Sequence, residues 1–311
     1  MESQLFYSES QWDIVLASFV LAAFSLLALF VYLISTKSEI STRFRPSGIA
    51  GCIIGLVAFS AYLLLIISWI TGFDYNPATH VYSPSNSALQ FRNAYRYVDW
   101  AVTVPLLTVE LIVVSTLVGD RAKKTRTRWM ALAFLMIVTG FLGADTFNDN
   151  TGRLVWGLIS SALFVPLYLG LLRTAFRSAK ELGEPAGPHL RKAALMLSWT
   201  WGVYPLMYCV PFFFADSAGW AVGRQLAFTV ADIAAKVGYG MLIHATAKAR
   251  TAIEVAEGSS PHPEDMYVDS LMVAGAQPVL TGERVAGAYG HPYSTTSDRS
   301  VEHHHDGAGV R

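Results

Sequence analysis

The chain is predicted to be all-α, a seven-transmembrane-helix bundle with its N-terminus outside and its C-terminus in the cytoplasm. Two observations predict this fold: the apolar composition and an alternation of basic and non-basic loops. Hydrophobic residues make up 53% of the 311 and charged residues 15%, with a mean hydropathy of +0.38, which is too apolar for an ordinary soluble domain. A helix needs about 20 mainly apolar residues to cross a bilayer. Seven stretches qualify, at residues 12–35, 48–71, 92–118, 129–145, 153–176, 190–214 and 222–248.

Short cytoplasmic loops collect Lys and Arg, so the loops set the orientation. Lys37, Arg43 and Arg45 follow the first span, Arg121, Lys123, Lys124, Arg126 and Arg128 the third, and Arg177, Lys180, Arg191 and Lys192 the fifth. The intervening DTFNDNTG and ADSAGWAVG connections carry no cation, and the N-terminal MESQLFYSESQWD is acidic. This pattern requires an odd number of spans, and it marks a multi-pass protein of the cell membrane. The net charge of zero hides the asymmetry and says nothing about partners. Residues 1–249 form the membrane domain. Residues 250–311, rich in Gly, Ser, Pro and His without helical periodicity, read as a disordered cytoplasmic tail. His303, His304 and His305 in that tail have no scaffold to hold a metal ion, and no metal site is expected. The segment 73–91 is expected to form a hairpin or an irregular cap on the outer face. Cys52 and Cys209 both fall inside spans and imply no disulfide. The first span is too long, and too weakly flanked by basic residues, for a cleaved signal peptide.

Charges inside spans cost on the order of 2.5–3.5 kcal/mol each, so each should have a partner or a task. In the third span, RNAYRYVDWAVTVPLLTVE, a helical turn of about 100° per residue puts Arg96, Thr103 and Glu110 on the same stripe as Asp99. Glu110 lies eleven residues beyond Asp99, roughly 16 Å along the axis. The two acids suit two stations of a path and not one site. In the seventh span, Asp232 and Lys236 are four residues apart and share a face. They form either an ion pair that locks helices together or a buried amine with its counter-ion. If the two cations pair with the two aspartates, Glu110 is left without a cation and favours its neutral form, unless it snorkels to the surface. A buried lysine can also form an imine with an aldehyde, and a protonated imine needs a counter-ion. Trp100, Trp156, Trp201 and Tyr204 stand where a flat polyene would need walls, although each aromatic alone is as well explained by packing.

These motifs resemble those of the microbial (type I) rhodopsins: RYVDWAVTVPLL is similar to the family's third-helix signature, WGVYP to the sixth and DIAAKVGYG to the seventh. The resemblance implies all-trans retinal on Lys236 as a protonated Schiff base, with Asp99 as main counter-ion and proton acceptor. Asp232 would be the second counter-ion, with Arg96, Tyr204 and Tyr62 of AFSAYL completing its hydrogen-bonded pocket. It further implies a retinal pocket lined by Tyr62, Trp100, Leu107, Met136, Gly140, Trp156, Ser160, Trp201, Tyr204 and Tyr208. Asp99, Thr103 and Glu110 together resemble outward light-driven proton pumps of the proteorhodopsin and xanthorhodopsin type, with Glu110 as proton donor. Leu107 resembles the green-absorbing choice. Ala61 stands where many such pumps carry a histidine bonded to the counter-ion. Arg224 stands where bacteriorhodopsin-like pumps have an acidic release residue, so their fast release complex is not expected, although Asp216 leaves one outer carboxylate. Gly157 matches a glycine that admits a carotenoid antenna in xanthorhodopsin-like proteins; small residues also simply allow close helix packing.

The expected protein is therefore an ion transporter and not an enzyme. Its expected partners are the bilayer, transported protons and further copies of itself in a homo-oligomer, with no nucleic acid. The alternative is a sensory rhodopsin signalling to a partner protein, against which Glu110 argues, because a sensor needs no rapid reprotonation.

Overall fold

The computed structural model describes residues 2–86, 91–147, 149–215 and 217–259. It has seven helices long and apolar enough to span a membrane: α1 (Glu9–Ser35), α2 (Arg45–Thr71), α3 (Ala94–Val114), α4 (Gly119–Thr146), α5 (Asn150–Leu182), α6 (Ala186–Phe213) and α7 (Ala218–Ala256). Their outward faces are apolar, with Phe24, Val98 and Leu206 each about two-thirds exposed, while Arg96, Asp99, Glu110, Asp232 and Lys236 are all buried. Charge inside and hydrocarbon outside is the arrangement a lipid solvent demands.

Local chemistry sets the helix ends. Ser8 and Gln11 form a capping box at the start of α1, where the Ser8 hydroxyl accepts from the Gln11 amide and the Gln11 side chain accepts from the Ser8 amide. Ser217 caps α7 by accepting from the Trp220 amide at 3.4 Å. Helix ends depart from the sequence expectation by several residues, and three of these differences have a visible cause. α3 stops at Val114 and not near 118, because Ser115 is extended and its hydroxyl bonds Ile112 O and Leu117 N, competing with the helical ladder. α4 starts ten residues before the expected 129: hydropathy marks only the apolar part of a helix, and Lys and Arg are good helix formers. α7 runs to Ala256, past the expected domain limit at 249. Arg250 there donates to the carbonyls of Val114 at 3.1 Å and Ser115 at 2.7 Å, closing the end of α3. Thr251 accepts from the Ser41 amide, and Glu254 pairs with Arg43. These residues belong to the bundle, and the tail beyond Ser259, with His303, His304 and His305, lies outside the described residues.

The segment after α2 forms a β-hairpin, β2 (Phe73–Asn76) with β3 (Val81–Pro84), and β1 (Tyr7–Ser8) adds to β3 as the third antiparallel strand. Beneath this sheet lies an aromatic cluster. Trp69 meets Tyr7, Trp12, Phe19, Phe73 and Phe91, with ring centroids 4.9–6.5 Å away, and its indole N–H donates to Trp12 O. Trp12 stacks on Tyr82 at 4.3 Å. The cluster ties the N-terminal segment and hairpin to α1 and α2. Trp69→Ala removes its shared wall and is expected to cost about 3–5 kcal/mol, read as a lower thermal unfolding midpoint by circular dichroism in detergent. An unchanged midpoint would show that the cap does not stabilise the bundle.

Candidate functional site

α3 and α7 supply the centre. The stripe expected on α3 is real: Arg96, Asp99, Thr103 and Glu110 are all buried. On α7 the α-helix gives way to a π-helical stretch, Ile233–Gly238, that carries Lys236. Such stretches often mark functional sites, because they re-aim side chains and loosen the backbone ladder. Lys236 Nζ donates to Asp99 Oδ2 at 2.6 Å and lies 3.0 Å from Asp232 Oδ1. Arg96 pairs with Asp232 at 3.2 Å. Two cations and two acids thus meet in the interior, none more than 2% exposed. They balance only as a set.

The two aspartates are held very differently. Asp232 accepts from the Tyr62 hydroxyl at 3.0 Å, the Tyr204 hydroxyl at 2.8 Å and the Trp100 indole N–H at 3.0 Å, besides Arg96 and Lys236. Asp99 has the lysine on one oxygen, while its buried Oδ1 has no hydrogen-bond partner. Thr103 donates to the Asp99 backbone carbonyl at 2.9 Å and not to its carboxylate. Ala61 of α2 is buried and carries no polar side chain. Glu110 stands alone further along α3: Oε2 is buried without a hydrogen-bond partner. It is four residues from the end of the shortened α3 and not eight, so helix position does not explain its burial. Gly51 of α2 does, since a Cβ there would sit 2.7 Å from Glu110 Oε1.

A cavity of about 210 Å³ starts at Lys236 and Asp232 and runs between α3, α4, α5 and α6. Of the expected pocket residues, Trp100, Leu107, Met136, Gly140, Ser160, Trp201, Tyr204 and Tyr208 line it, as does Gly157. Ser160 donates to Met136 O at 2.8 Å, and its Oγ would be 3.3 Å from a Cβ on Gly140, so these three positions pack as one wall. Two expected positions fall outside this lining. Tyr62 bonds Asp232 and Arg96, as expected of the hydrogen-bonded pocket. Trp156 stacks on Phe147 at 6.0 Å. At the far end the cavity reaches the outer face between α5 and α6, where Leu154 and Leu158 are 52% and 63% exposed. The ring of Tyr208 lies over Gly157 there, and a Cβ on Gly157 would be 2.7 Å from Tyr208 Cε1.

Sequence reasoning missed Gly51, Gln225, Thr229, Asn93 and Glu2. Arg96 also donates to Gln225 Oε1 at 3.0 Å and Thr229 Oγ1 at 3.3 Å. Gln225 lies seven residues before Asp232, two turns along the same face, and that spacing was a usable signal. Arg224 pairs with Glu2 at 2.5 Å, whereas Asp216 lies outside the described residues.

A seven-span bundle with a buried lysine between two carboxylates, beside an apolar cavity, defines a membrane protein whose charged centre is enclosed by its helices. The chain belongs to the bacteriorhodopsin-like family, whose model matches residues 14–250, and is a microbial type I rhodopsin. It is 29% identical over 168 residues to archaerhodopsin-2 of Halobacterium sp. (strain aus-2), covering 54% of this chain and 61% of that one. It is 25% identical over 234 residues to the blue-light absorbing proteorhodopsin of Gamma-proteobacterium Hot 75m4, covering 74% and 85%. The matches to archaerhodopsin-2 and archaerhodopsin-3 thus span only 61% and 55% of those relatives. Among solved structures it superposes on xanthorhodopsin, described as a light-driven ion pump with dual chromophore, with a TM-score of 0.73 at 31% identity, covering 80% of this chain and 98% of that one. Thermophilic rhodopsin gives 0.72 at 27% identity with the same coverage. The protein is thus a multi-pass protein of the cell membrane, of a family whose members include light-driven ion pumps.

Proposed function

We propose that the protein is a light-driven outward proton pump, oriented with the hairpin end outside and the end of α7 in the cytoplasm. The observation that carries this reading is the contrast between Asp232, held by five donors, and Asp99, which shares the same amine with an oxygen to spare. The residues fit retinal: one buried amine closes a slot walled by Trp100, Trp201 and Tyr204. Retinal bound to Lys236 as an imine supplies light absorption and a light-driven change in the direction and proton affinity of the lysine nitrogen.

The chain's own groups do the rest. Asp232 stays ionised, because five donors stabilise its charge and protonation would strand them. Asp99 is the acceptor: a proton moving from Lys236 Nζ to Oδ2 removes a buried ion pair as a unit, and no other donor is lost. Glu110 holds a proton at rest, since burying a bare carboxylate costs several kcal/mol, and it returns that proton to Lys236 Nζ. The roughly 16 Å between the two acids requires a conformational step before the return, and that step makes the transport vectorial.

The test is light-driven pH change in vesicles loaded with retinal. The wild type should become coloured and pump, Lys236→Ala should stay colourless, and Asp99→Asn should shift its absorption to the red and move no protons. Light-driven transport by Asp99→Asn at the wild-type rate would overturn the acceptor assignment.

For the inner station, Glu110→Gln should leave the colour nearly unchanged and slow the recovery phase after a flash by about 100-fold, with added azide restoring it as a diffusible proton carrier. Normal recovery without azide would remove Glu110 from the path.

The opening beside Gly157 supports a second chromophore, a hydroxylated carotenoid lying against α5 and α6 with its end near Gly157. Purified protein mixed with such a carotenoid should show the carotenoid bands in the retinal excitation spectrum. Gly157→Trp, whose side chain must displace Tyr208 and fill the opening, should lose both binding and transfer. Equal transfer in that variant, or no binding to the wild type, would rule the antenna out.

A further inference from the structure

The hydrogen bonds that leave the charge cluster toward the hairpin end finish on a carboxylate that the pump mechanism above does not use. Arg96, which holds Asp232 through Nη1, donates through Nη2 to Gln225 Oε1 at 3.0 Å. The Gln225 amide, 1% exposed, donates onward to Glu2 Oε2 at 2.8 Å. Asn93 joins them, donating to Glu2 Oε2 and accepting from Gln225 Nε2 at 2.8 Å. The other carboxylate oxygen of Glu2 takes Arg224 Nε at 2.7 Å and Nη2 at 2.5 Å. Glu2 sits on an N-terminal turn, where a carboxylate would normally be solvated, yet it is only 6% exposed. The Tyr7 hydroxyl, donating to its backbone carbonyl at 3.0 Å, helps to hold it inside.

On its far side Glu2 lines a second, polar cavity of about 270 Å³, with the exposed side chains of Arg92 and Asp145 also in its wall. Glu2 therefore stands between a buried, continuous hydrogen-bond chain and a polar vestibule. Among the described residues it is the carboxylate that touches both. Gln225 and Asn93 cannot ionise at physiological pH, and an arginine effectively never gives up its proton, so Glu2 is the group in this chain able to take and release one.

We propose that Glu2 is the exit carboxylate of the pump; this rests on the pump reading and its orientation. The proton that Asp99 received is lost from Asp99 and gained by Glu2 at Oε2, moving through water oriented by Arg96, Gln225 and Asn93. Neutralising Glu2 weakens its pair with Arg224. Loss of the proton to water in the vestibule restores the pair and resets the station, and no electrons change place. A plain anchoring role, in which Glu2 only staples the N-terminal turn to α7, makes a different prediction.

The experiment uses the full chain with retinal in detergent. A flash is followed by a pH-indicator dye for release into the medium and by infrared difference spectroscopy for the Asp99 carboxyl. Glu2→Gln keeps the size and one accepting oxygen but cannot cycle a proton. It should release protons about 100-fold more slowly while Asp99 is protonated at the wild-type rate, and Glu2→Asp should recover most of the loss. If Glu2→Gln does not fold, Gln225→Leu cuts the chain one link earlier and should show the same delayed release. Wild-type release in Glu2→Gln, or in Gln225→Leu where that variant is the one examined, overturns the exit role and leaves an anchor. A wild type that moves no protons in light overturns the pump reading first and the exit role with it.

Discussion

Lys236, Asp99, Asp232 and Arg96 form a neutral cluster in which no member is tolerable alone. Each ion taken from water into the interior costs several kcal/mol, and removing one partner of such a pair typically destabilises by about 3–5 kcal/mol, because a bare charge is left behind. The helices therefore meet where these four side chains converge. α3 brings Arg96 and Asp99, one turn apart, and α7 brings Asp232 and Lys236 around the start of its π-helical stretch. α2 and α6 add the Tyr62 and Tyr204 hydroxyls, both aimed at Asp232. The two aspartates are bonded unequally, and the proposed pump uses that difference: one negative charge is fixed and the other is free to be neutralised.

Small residues set where the remaining chemistry can sit. Gly51 leaves room for Glu110 against α2, and Gly157 leaves room for Tyr208 against α5. Neither glycine is in a turn or at positive φ. Each is a point where a side chain from a neighbouring helix needs the volume that a Cβ would fill. In the first case the result is a carboxylate enclosed without a cation, and in the second a slot that reaches the lipid-facing surface.

Much of this was legible in the sequence, and the residues show why the rest was not. Span number follows from apolar length, and the buried stripe on α3 and the shared face of Asp232 and Lys236 follow from periodicity, which reports the buried face of a helix directly. Periodicity does not report partners. It put Trp100 beside Asp99 in sequence, whereas the indole N–H crosses the bundle to Asp232. Hydropathy missed the charged start of α4 and the last turns of α7, because there the helix leaves the apolar zone without ending. Glu2 had no signal at all, since nothing local in MESQLFYS says that this segment folds back onto Arg224 and Gln225, more than 220 residues away.

The two sides of Lys236 differ in kind, and under the proposed pump reading the difference bears on the direction of proton movement. Toward the hairpin end, hydrogen bonds run without a break from Asp232 through Arg96 and Gln225 to Glu2 and a polar cavity. Toward the other end, Leu107, Leu111, Tyr239 and Ile243 are buried in an apolar cluster, and Glu110 is an isolated acid with an unpartnered oxygen. A proton on the connected side has a series of polar stations before it. A proton on the other side would have to cross the buried apolar cluster, which under the proposed mechanism needs a conformational step to open. The resting protein is thus wired on its outer half and insulated on its inner half. Under the proposed orientation this asymmetry blocks inward leakage in the dark, and it requires that the inner half open, briefly, only after Asp99 has been neutralised.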